Sequence, residues 1–123
     1  MRRYHVLFVA VLVTLGVLVE SCSKDQGTTA PTPTGPALTA TPPGVSLAGT
    51  TPQNVTITAG THPYTIVQQP SPGLATAQFV NANLDTAILT ITGVSTATGS
   101  TSVVVRDASS PQKSVTIGIT KSQ

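Results

Sequence analysis

AILTITGVSTATGSTSVVVRDASSPQKSVTIGIT, residues 87–120, holds the densest patterning in the chain. Ala87-Ile88-Leu89-Thr90-Ile91 is the strongest apolar segment, and it runs out at Gly93. A connection of small residues with Gly99 follows, and Thr101–Arg106 then holds three consecutive valines. Asp107–Gln112 reads as a turn, after which Ser114–Thr120 alternates through Val115, Ile117 and Ile119. Apolar residues recur at every second position, and the residue types are β-branched. Side chains on a strand point alternately to opposite faces, so this pattern predicts three strands that each bury one face.

The same rhythm extends upstream. Leu38-Thr39-Ala40 leads into Pro42-Pro43-Gly44, and Val45-Ser46-Leu47 closes at Gly49. Val55-Thr56-Ile57-Thr58 alternates cleanly and stops at Ala59-Gly60. Tyr64-Thr65-Ile66-Val67 follows Pro63, and Pro70-Ser71-Pro72-Gly73 forms a turn before the weaker strand Leu74–Val80. No window carries the i, i+3, i+4 stripe of a helix. About seven short strands, spaced by turn clusters, predict an all-β sandwich. Its inward set is Leu38, Leu47, Val55, Ile57, Tyr64, Ile66, Phe79, Leu89, Ile91, Val103, Val105, Val115, Ile117 and Ile119, a core expected to hold no charge.

Charged residues are 8% of the chain. Within residues 37–123 the cations are Arg106, Lys113 and Lys121 and the acids are Asp85 and Asp107. No Lys/Arg cluster exists to engage nucleic acid or anionic lipid. Cys22 is the single cysteine, so no disulfide within the chain staples the fold.

Cys22 has a specific setting. Arg2 and Arg3 precede an apolar run from Val6 to Val19. That run falls short of the roughly 20 apolar residues that span a bilayer and matches the core of an export signal. Val19-Glu20-Ser21-Cys22 resembles the lipobox of bacterial lipoproteins, with Glu20 departing from the pattern by placing a charge near the cysteine. The resemblance implies that residues 1–21 are a signal peptide and that Cys22 is lipidated as the new N-terminus. The chain would then attach to the membrane through that lipid. Ser23 stands where inner-membrane lipoproteins of enteric bacteria have Asp, so the outer membrane is the expected site. The competing expectation is ordinary cleavage near Ser21, leaving an unmodified Cys22. Residues 22–36 complete the anchor with a Thr/Pro-rich, disordered tether, in which Pro31, Pro33 and Pro36 favour extended backbone.

Residues 37–123 resemble a bacterial immunoglobulin-like domain. VSLAGT (45–50), QNVTITAGTHPYTI (53–66) and above all LTITGVSTATGSTSVVVRD (89–107) carry the likeness. It implies an immunoglobulin-like sandwich, in which Tyr64 marks a strand start and packs inward. The antibody Cys…Trp…Cys pattern is missing.

Candidate sites are few. His62-Pro63-Tyr64 gathers ring-bearing residues at a loop–strand junction, where Tyr64 would offer a stacking face to sugar or peptide if it faced outward. His62 alone falls short of the three or four ligands of a zinc site. Asn81-x-Asn83-x-Asp85 has the spacing of a calcium loop without its closing Glu, and reads as a turn. Asp85 and Asp107 are expected at opposite ends of the sandwich as turn residues, which removes an acid/base pair. The expectation is therefore a module without catalysis, cofactor or metal. It would contact envelope glycan, another exported protein, or a second copy by edge-strand pairing. The alternative is a secreted, non-lipidated accessory to a separately encoded hydrolase or adhesin.

Overall fold

A computed structural model describes residues 35–94 and 96–123. The expected signal, Cys22 and the tether through Thr34 lie outside the described residues. The described chain forms eight strands: β1 (Thr39–Thr41), β2 (Gly44–Ala48), β3 (Gln53–Thr58), β4 (Thr65–Gln68), β5 (Ala75–Phe79), β6 (Ala87–Gly93), β7 (Gly99–Arg106) and β8 (Ser114–Ser122).

The strands form two four-stranded sheets, ordered β1-β3-β6-β5 and β2-β8-β7-β4. All neighbours are antiparallel except β2 and β8, which run parallel from Gly44↔Gly118 to Ala48↔Ser122. The strand pattern is that of an immunoglobulin-type sandwich whose first strand is divided between the sheets. The division falls at Pro42-Pro43. β1 ends its ladder at Thr41↔Thr56, and β2 begins on the other sheet at Gly44. Two successive prolines supply no N–H to a ladder, so the run cannot stay in one sheet. The division matches the two separate runs, Leu38–Ala40 and Val45–Leu47, that the sequence shows on either side of Pro42-Pro43.

The core lies between the sheets. Val55, Ile57, Leu89 and Ile91 of the first sheet and Val103, Val105 and Ile117 of the second are fully buried. Each such side chain contributes about 1.5–3 kcal/mol on leaving water. Ile66, Phe79 and Val115, expected inside, are only partly buried at the margin of the core. Ala40, Val45, Ala75, Ala77 and Ala87 join the core instead. The four strands of the first sheet carry no charged residue.

The expectation of a charge-free interior fails at two places, Asp107 and Lys121, each 2% exposed. Lys121 runs its aliphatic stem under Gly93 and donates from Nζ to the Ser122 carbonyl at 3.2 Å. A long cation can bury its methylenes while its head finds a carbonyl at the rim. A side chain at Gly93 would collide with the Gly49 carbonyl and the Lys121 stem, so only glycine fits there.

Candidate functional site at the loop pole

Register sets which loops meet. Ile57↔Ala87 joins the end of β3 to the start of β6, and Thr65↔Arg106 and Arg106↔Ser114 join the start of β4, the end of β7 and the start of β8. Loops 59–64, 80–86 and 107–113 therefore share one pole, which holds every candidate in the sandwich.

Tyr64 turns inward, immediately before β4, and is 2% exposed. Its hydroxyl lies 3.2 Å from the carbonyl oxygens of both Gly60 and Asp85, sharing one proton between two acceptors. Its N–H donates to the Ala82 carbonyl at 2.9 Å. The ring stacks on Phe79 with centroids 6.4 Å apart and planes at 29°. Burial raises the phenol above its ordinary pKa; the Gly60 bond opposes this, and the Asp85 and Asp107 charges add to it. Tyr64 thus packs inward, the orientation that the family resemblance implies, with its ring on Phe79 and its hydroxyl on two carbonyls.

His62 stays at the surface, its side chain half exposed, with Nε2 3.6 Å from Oδ1 of the fully exposed Asp85. The contact is an ion pair only while the imidazole is protonated. Among the described residues no hydroxyl is hydrogen-bonded to His62. Nor are three His, Cys, Asp or Glu side chains grouped among them to hold a metal ion.

Asp85 and Asp107 lie at the same pole, not at opposite ends. Asp85 borders His62, and Asp107 accepts the adjacent Thr61 N–H at 3.2 Å. The expectation missed that the second and third loops both close on the first. Asp107 also accepts the N–H groups of Lys113 at 2.8 Å and Ser109 at 3.3 Å. The Ser109 hydroxyl sits 2.7 Å from Asp107 Oδ1 and 2.9 Å from the Pro111 carbonyl. Burial pushes the Asp107 carboxyl up, but the bonds from Lys113, Ser109 and Thr61 outweigh it and hold the pKa below the ordinary value. Asp107 is a staple between two loops. A carboxylate committed to four donors is a poor proton acceptor.

Asn81 spends its side chain similarly, accepting the Ile88 N–H at 2.6 Å and donating to the Thr86 carbonyl at 3.3 Å. The Asn81–Asp85 segment is a turn closed on its own backbone. Beside this pole lies a depression of about 370 Å³, lined by Gly35, Ala37, Leu38, Gln112, Lys113 and Ser114. Lys113 Nζ donates there to the Pro36 carbonyl at 2.9 Å. The chain therefore enters the sandwich at the loop pole, and β8 ends at the other.

Of these features, the Asp107-Ala108-Ser109 turn was legible, because Asp caps backbone two residues on. The Thr61 contact, 46 positions distant, left no local signal.

No protein-family model matches the chain, and no curated protein is significantly similar to it. Solved structures are. Domains 4 and 5 of the S-layer protein SbsC superpose with a TM-score of 0.61 at 19% identity, covering 75% of this chain and 54% of that one. The longer SbsC structure rSbsC(31-844) gives 0.59 at 19% identity, covering 73% of this chain and 13% of that one. A third, spanning SbsC domains 1–6, gives 0.55 at 18% identity. The chain thus spans about half of the first of these and a small part of the others. At such identities the likeness establishes one thing, a β-sandwich fold shared with domains of a larger protein.

Proposed function

We propose that this chain is an exported lipoprotein of the bacterial cell envelope that presents one immunoglobulin-like sandwich as a structural or binding module. The observation that carries the reading is Val19-Glu20-Ser21-Cys22 behind the Val6–Val19 apolar run. The fold supports the role: sandwiches of this shape occur as S-layer domains in SbsC. The loop pole supports it too, since its titratable groups are committed to loop closure or paired with each other rather than arranged for catalysis. Contact with envelope glycan or exported protein then falls to the sheets and their edges.

Fractionation of cells that express the full chain tests this. The wild-type chain is expected in the membrane fraction, released by detergent and not by salt. Cys22→Ser is expected in the soluble fraction. A wild-type chain that is soluble without detergent overturns the anchored reading. It would leave the second reading, a secreted accessory module, which Glu20 favours.

A further inference from the structure

We propose that the outer edge of β5 is a self-pairing surface, on which two copies of this chain join antiparallel about Ala77 to make one eight-stranded sheet. This deepens the reading of the domain as a contact module and rests on it.

The sandwich has four edge strands, and three are protected. β1 has three residues and runs into Pro42-Pro43. β2 has five and starts directly after those prolines. β4 has four, is broken by a bulge between Ile66 and Gln68, and is followed by Pro70. Short strands, prolines and bulges are the means by which native edges resist pairing. β5 has none of them. Its ladder with β6 runs unbroken from Ala75↔Gly93 to Phe79↔Leu89, and two further bonds, Leu74 to Val94 and Val80 to Ile88, extend it at both ends. Among the described residues no strand covers its outer side.

Hydrogen bonding fixes the register. In an antiparallel pair, alternate residues bond across the ladder. The bonds at Leu74 and Val80 assign the even positions to β6. Ala75, Ala77 and Phe79 therefore turn their backbone groups to the open side, save that the Ala75 N–H is taken by the Ser71 carbonyl at 3.1 Å. A two-fold axis at Ala77 matches these groups to themselves. Ala77 N–H meets the copy's Ala77 carbonyl in both directions. Phe79 N–H likewise meets the copy's Ala75 carbonyl. Four bonds form, and every committed group keeps its present partner.

The side chains agree with that register. Phe79 falls opposite alanine, large against small. Exposed Thr76 falls opposite exposed Gln78, hydroxyl against amide. Val80, at 67% the most exposed large apolar residue among the described residues, falls opposite residue 74 of the copy. With no charge on any strand of the first sheet, nothing repels a second copy, and a charged partner finds no complement. The interface is two-fold and small, so it is weak, dissociating at roughly 10 µM to 1 mM, below the range of standard-size interfaces.

Sedimentation equilibrium of the full chain in density-matched detergent tests this, with two variants at exposed positions. Thr76→Lys/Gln78→Lys sets lysine opposite lysine across the axis. Thr76→Glu/Gln78→Lys sets glutamate opposite lysine at the same places. The wild-type mass is expected to rise toward two chains over the range above. The double lysine variant should weaken association at least tenfold at low salt, and the Glu/Lys variant should restore it to within about twofold. A wild-type mass of one chain throughout overturns the proposal, as does an equal loss in both variants. Urea midpoints of the three chains confirm that the monomer is intact. Association is read whether or not Cys22 carries lipid, so its failure leaves the fractionation result standing, and the reverse.

Discussion

Asp107 ties together two loops that the chain separates by 46 residues. Replacing it with alanine removes the acceptor of two part-buried bonds, from the Thr61 and Lys113 N–H groups. Charge-assisted bonds contribute about 1.5–3 kcal/mol each. Asp107→Ala should lower unfolding stability by about 3 kcal/mol, read from urea denaturation at neutral pH. The lowered pKa sets the sign of its pH dependence. The folded state holds the carboxylate more tightly than the unfolded chain does, so its contribution is complete above the unfolded value of about 3.9 and is lost as pH falls through the lower folded value. The wild-type domain should lose stability below about pH 4, and Asp107→Asn should flatten that loss. Tyr64 has the opposite sense. Its raised pKa means the folded state resists ionisation, so stability should decline above about pH 10 as the unfolded phenol ionises. Tyr64→Phe should remove that alkaline loss at a cost of about 1 kcal/mol at neutral pH.

β3 stops at Ala59-Gly60. The left-handed residue is Ala59, at φ 65°. Gly60 serves packing: a side chain there would meet Leu38 at 2.6 Å, Tyr64 at 2.8 Å and Asp107 at 3.1 Å. Gly60→Ala should cost about 1–3 kcal/mol, the usual penalty of overpacking, and a urea midpoint unchanged from wild type would refute that packing role.

At the scale of elements, alternation told nearly everything. β3, β6, β7 and β8 sit where Val55/Ile57, Leu89/Ile91, Val103/Val105 and Ile117/Ile119 placed them, since a period of two has one solution when one face must be buried. β6 packs in the middle of its sheet, between β3 and β5. Ile91→Ala should therefore cost about 2–5 kcal/mol, against under about 1.5 kcal/mol for the volume-conserving Ile91→Leu, both by chemical denaturation. Alanines were the blind spot. Ala75, Ala77 and Ala87 are nearly or fully buried, yet a methyl group carries too little apolar weight to mark a core position in sequence. Pairing was illegible as well: the switch of the first strand between sheets needs the positions of β3 and β8, which no local pattern holds.

At the scale of the whole molecule, the sandwich explains why the loop pole is quiet. The chain enters there, at Pro36 beside Lys113, and three loops close there on Asp107 and Tyr64. Asp85, in the Asn81–Asp85 turn, and Asp107, at the end of a strand, are expected at opposite ends. They sit in the turns of two hairpins, β5–β6 and β7–β8, and the stacking of the two sheets brings those turns to one pole. Contact falls, in the proposed reading, to the far pole, the uncharged first sheet and the β5 edge. In the proposed reading, a tether from Cys22 would hold the loop pole toward the membrane and leave those surfaces outward. Mass spectrometry of the mature N-terminus tests that central claim most directly. The account predicts a first residue of Cys22 bearing a thioether-linked diacylglycerol. An unmodified Cys22, or a chain that begins elsewhere, would contradict it.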